Sequence, residues 1–68
     1  MKTTIHGHIV SYEPSAQLGL RYLFYLNGEE AKVFFDEALN HGHAAFEDHA
    51  GTNFKLVHHG GEYELIHG

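Results

Sequence analysis

Cysteine and tryptophan are absent from this 68-residue chain, proline occurs once, and lysine and arginine together number only four. Without cysteine there are no disulfides, no thiol nucleophile and no zinc-finger spacing. Lys2, Arg21, Lys32 and Lys55 are scattered rather than clustered. Direct binding to nucleic acid, which relies on massed cations to displace counterions from phosphates, is therefore not expected. No apolar run reaches the roughly 18 residues of a membrane span, and Met1 to His6 carries no stretch of signal-peptide length. The expectation is a cytoplasmic protein that makes no contact with a membrane.

Histidine is what the chain has in abundance: eight, against nine Asp and Glu, for a formal charge of −5 with the imidazoles neutral. Protonating all eight would reverse the sign of the charge within the range where imidazole titrates. The histidines are dispersed at positions 6, 8, 41, 43, 49, 58, 59 and 67, so they belong to the fold rather than to a tail.

A chain of this length forms one domain, residues 1–68, and buries only about 60% of the surface that its unfolded state exposes. Nearly every large apolar residue is then needed for the core. Little volume is left for an enclosed active site, and a non-enzymatic protein is expected.

Residues 3–12 are rich in β-branched side chains and stop at Glu13-Pro14-Ser15, which reads as a strand closed by a turn. Residues 18–26, Leu-Gly-Leu-Arg-Tyr-Leu-Phe-Tyr-Leu, alternate as a second strand would. Asn27 can cap a helix whose third position is Glu30, and two carboxylates stand by the positive end of its dipole. Ala31, Phe34, Phe35, Ala38 and Leu39 then repeat at helical spacing, with Phe34 and Leu39 expected to pin the helix, and Gly42 stops it. Over about a dozen residues, Lys32-Val33-Phe34 with Ala38 and Gly42 resembles the helix of β-grasp domains. That is an amphipathic pattern and carries no functional implication.

Three short strands follow, 44–48, 53–58 and 62–66, the last two joined by Gly60-Gly61, a pair suited to a tight primed turn. The predicted order is ββαβββ. The fold class is α+β, a single mainly antiparallel sheet with one helix packed on one face.

One helix leaves the other sheet face uncovered. By strand alternation that face carries Val10, Tyr12, Leu23, Tyr25, Val57 and Ile66, an apolar patch of the kind that marks an interaction surface. The leading expectation is a small acidic protein-interaction module, in the manner of bacterial and phage regulators and inhibitors. It would use this sheet face to bind a protein partner or a second copy of itself, with a homodimer expected.

The alternative is a transition-metal site, for zinc or nickel. His6-Gly7-His8 sets two imidazoles at i, i+2, the same side of a strand, and Glu47, Asp48 or His49 is the candidate third ligand. The stretch His6-x-His8-x4-Glu13 resembles part of the first metal-binding motif of the cupins. The second cupin motif is missing, so no cupin fold is implied. No nucleophile elbow, phosphate-binding glycine loop or catalytic triad order is present.

Overall fold

The chain is described by a computed structural model that covers residues 1–68. It begins with a hairpin, β1 (Lys2–Ile5) and β2 (His8–Tyr12), turning at His6-Gly7. Both turn residues have positive φ, 48° and 84°, as a primed two-residue turn requires. Residues 3–12 are therefore two strands rather than one. The turn also changes the face on which later residues fall: Ile5 and Val10 point into the core, and Ile9 points out.

Pro14 opens a 3-10 turn, Pro14–Ala16, which leads into α1 (Gln17–Tyr25). The strand expected over 18–26 is thus a helix. This segment is apolar at so many positions that it satisfies both periods. The alternating set Leu18, Leu20, Tyr22, Phe24, Leu26 suggests a strand, while Gly19, Leu20, Leu23 and Leu26 line one side of a helix, and these four are the residues that are buried. Proline at the head of the segment is the local signal for a helical start.

α2 (Gly28–His41) begins one turn of chain later with a complete capping box. The Asn27 side-chain oxygen accepts from the Glu30 amide at 2.8 Å, and the Glu30 carboxylate accepts from the Asn27 amide at 3.2 Å. Gly42, at φ 90°, ends the helix as expected. The buried stripe is Ala31, Phe35 and Ala38; Phe34 is half-buried at its edge and Leu39 is exposed. Phe35, not Phe34 or Leu39, holds the helix down.

β3 (His43–Glu47), β4 (Asn53–His59) and β5 (Glu62–His67) complete one five-stranded sheet in the order β1-β2-β5-β4-β3. Three pairings are antiparallel, and β2 with β5 is parallel, so the fold is α+β with a mainly antiparallel sheet. α2 lies across β3 and β4, and α1 with its 3-10 turn contacts β5. Both helices share one core with Ile5, Val10, Ala44, Phe46, Phe54, Leu56 and Leu65. No buried side-chain polar atom lacks a hydrogen-bond partner.

Candidate interaction site on the first helix

The sheet face turned away from the helices carries Val57 and Ile66, both half-buried, and the exposed Ile9, but charged side chains stand among them. Lys2 reaches over β2 to Glu62 at 3.0 Å, and the His59 ring donates to Glu64 at 3.3 Å. Such cross-strand charge pairs are the mark of a solvated face. The patch expected there is therefore not assembled. Val10 and Leu23 are both fully buried, and Tyr12 packs half-buried against the same core. Tyr25 alone of the six is freely exposed, at 72%, and it stands on α1. Two errors of parity produced the difference: the unrecognised turn at His6-Gly7 exchanged the faces of Val10 and Tyr12, and the helical period replaced the strand period at Leu23 and Tyr25.

The proposed metal ligands are also separated. His6 lies in the hairpin turn, where its Nε2–H donates to the Leu23 carbonyl at 3.1 Å. His8 is the first residue of β2 and stacks on Phe35 with ring centroids 4.1 Å apart. His49 sits in the loop after β3, against Tyr22 and Tyr25, and Glu47 ends β3. No three His, Asp or Glu side chains come together in a metal-binding group. His6 and His8 diverge because one lies in the turn and the other opens β2, so they do not share a strand face.

What the helical segment creates instead is a surface on α1. Its inward residues being Gly19, Leu20 and Leu23, the outward side falls to Leu18, Arg21, Phe24 and Tyr25. Leu18 is 56% exposed, Phe24 50% and Tyr25 72%. α1 contains no acidic residue, although the chain as a whole carries a charge of −5. Arg21 is exposed and, like Lys55, has no carboxylate partner, whereas Lys2 and Lys32 are paired with Glu62 and Asp36.

Beside this surface, an open cleft of about 370 Å³ separates α1 from the β3–β4 loop, lined by Leu18, Arg21, Tyr22, Tyr25, Asp48, His49 and Ala50. The loop is held by Asp48, whose Oδ1 accepts from the amides of Ala50 at 3.0 Å and Thr52 at 2.9 Å. That bracing presents His49 to the helix. Its ring meets Tyr22 edge-on at 5.1 Å and Tyr25 edge-on at 4.8 Å. Tyr22 in turn lies nearly parallel to Phe46, 5.7 Å away, and so ties the cleft wall to the core. The Asp48 carboxylate serves the loop backbone. Arg21, which also lines the cleft, forms no ion pair.

Compared with known proteins, the chain matches no family model, no curated protein and no solved structure. No helix is long and apolar enough to cross a membrane.

Arg21, Tyr22, Asp48 and His49 were not legible as a group from the sequence, because they meet only if residues 17–25 are helical. Two signals bear on it: Pro14 before the segment, and Asp48-His49-Ala50-Gly51-Thr52, a spacing at which an aspartate can accept from amides two and four residues on.

Proposed function

We propose that this protein is a non-enzymatic protein-interaction module and that its contact surface is the outward side of α1. The observation that carries this reading is the exposure of Leu18, Phe24 and Tyr25 around an unpaired Arg21, on an element with no acidic residue in an acidic chain. Aromatic residues and arginine are the types enriched where interfaces concentrate their binding energy, and charged residues are depleted at interface centres. The outer sheet face, by contrast, carries the cross-strand pairs Lys2–Glu62 and His59–Glu64.

The partner is a different protein rather than a second copy. In a two-fold pairing each residue on the axis faces its own copy, and Arg21 is the middle residue of α1. A symmetric α1–α1 contact centred there would oppose two cations with no carboxylate on either helix to relieve them.

The reading is tested by selecting binders from a displayed peptide library against the native protein, then measuring them on two variants. Tyr25→Asp should weaken binding by about 2 kcal/mol or more, roughly thirtyfold, while Ile9→Lys on the outer sheet face should leave it unchanged. Loss on Ile9→Lys with retention on Tyr25→Asp would move the surface back to the sheet and overturn the proposal.

A further inference from the structure

The α1 surface also indicates what it recognises. Resting on the reading just given, we infer that Arg21 and the adjoining cleft bind a peptide segment of a partner protein that carries a single carboxylate bracketed by apolar side chains.

The carboxylate follows from Arg21. It is exposed, forms no ion pair, and sits between the cleft on one side and Phe24 on the other. A guanidinium offers a planar fork of donors that a carboxylate matches with two hydrogen bonds. No carboxylate of the chain itself pairs with it: Asp48, the acidic member of the cleft lining, accepts through Oδ1 from the amides of Ala50 and Thr52 and forms no ion pair with Arg21.

The apolar brackets follow from what flanks Arg21. On one side Tyr22, Tyr25 and the His49 ring form an aromatic wall, held in place by edge-on contacts and by the stacking of Tyr22 on Phe46. A side chain entering the cleft of about 370 Å³ there would be gripped by rings that need little reordering. On the other side Phe24, half exposed, offers a second apolar contact. The spacing suits a chain running across the helix, with its acidic residue over Arg21.

The limit to one carboxylate follows from the net charge. A chain at −5 repels a polyacidic tract at long range, and the α1 surface has one cation to set against it. Recognition is therefore local, and a polyacidic partner is disfavoured.

The test uses two synthetic peptides: one with a single glutamate between leucine and phenylalanine, and the same peptide with glutamine in its place. Binding is followed by amide chemical shifts of the isotopically labelled protein. The expected result is saturable shifts at Arg21, Tyr22, Tyr25 and His49 with the glutamate peptide, and affinity lower by about tenfold for the glutamine peptide. Arg21→Gln should abolish this discrimination, while Ile9→Lys should retain it. Equal affinity for the two peptides on the native protein would overturn the carboxylate assignment and leave α1 as an apolar docking surface. Shifts confined to the outer sheet face, or none at millimolar peptide, would overturn both. Shifts of α1 on dilution of the protein alone would assign the surface to a second copy and overturn the peptide assignment.

Discussion

The His6 ring donates from Nε2 to the carbonyl oxygen of Leu23 at 3.1 Å, so the turn of the first hairpin caps the last turn of α1. A helix leaves its final carbonyls without intrahelical partners, and here the partner comes from a distant strand turn. The amide that would otherwise serve the Leu23 carbonyl, that of Asn27, is bound by the Glu30 carboxylate as part of the next helix. The two helices therefore join without leaving this carbonyl unsatisfied.

His6→Asn should test that link, since asparagine tolerates the positive φ of 48° found at this position but is too short to span to α1. The loss of one side-chain hydrogen bond is expected to lower stability by about 0.5–1.5 kcal/mol. Urea unfolding would measure it, and an unchanged midpoint would mean that the cap contributes nothing.

Gly19 is required by proximity rather than by backbone conformation. A β-carbon there would stand 2.6 Å from Cγ of Phe54 and 2.7 Å from Cδ1, well inside contact distance and against a ring locked in the core. Gly19→Ala should destabilise by about 1–3 kcal/mol or more despite the better helix propensity of alanine. Phe54→Ala, which removes Cγ and both Cδ atoms, is expected to relieve the clash, so a double-mutant cycle should show coupling of about 1 kcal/mol or more. Strict additivity would place α1 farther from Phe54 than the structure does.

Phe35 is fully buried, stacked on His8 and edge-on to Tyr63 at 4.9 Å. Phe35→Ala should cost about 3–5 kcal/mol, as much as a single core of this size ordinarily supplies. Circular dichroism should find the variant largely unfolded. Leu39→Ala, on the exposed side of the same helix, should change stability by about 0.5 kcal/mol or less. A near-native melt for Phe35→Ala would show that the core is centred elsewhere.

Burial, and secondarily the nearby Asp36 carboxylate, raise the Tyr63 hydroxyl above the ordinary tyrosine value. Both causes disfavour the phenolate. The group therefore contributes its full share of stability below the unfolded value of about 10 and loses it as pH climbs through the higher folded value. Stability should fall more steeply above pH about 10 in the native protein than in Tyr63→Phe, as followed by thermal melts at a series of alkaline pH values. Parallel curves would remove Tyr63 as a contributor.

The legible parts of this fold were those where one residue type admits one reading. Asn27 with Glu30, Gly42, and Gly60-Gly61 marked their cap, stop and turn, because each satisfies a local geometric demand that few residues meet. Along 62–66 and 53–58, polar and apolar residues alternate at strand spacing, and the apolar members Phe54, Leu56 and Leu65 lie in the core. The segment 18–26 failed because Leu, Tyr and Phe saturate it, and a pattern with almost no polar residues cannot report its period. His6-Gly7 was missed because histidine is an uncommon choice at positive φ, and its reason for being there, the Leu23 carbonyl, lies across the core. The first segment builds the α1 surface and the second sets the faces of Val10 and Tyr12, so the expected interface was misplaced with them.

The position of β5 carries a kinetic consequence. This strand, ending at His67, lies between β2 and β4 and makes the parallel bond to the first hairpin. Until residues 62–67 have been synthesised and docked, β1–β2 and β3–β4 are separate hairpins, each with unpaired edges. Pairing Val10 with Tyr63 closes most of the chain into one loop, which is costly in entropy and rewarded only once the strands pair. Assembly of the sheet thus waits on β5. The half-made chain, with two open strand edges where β5 belongs, is the state most exposed to misassociation.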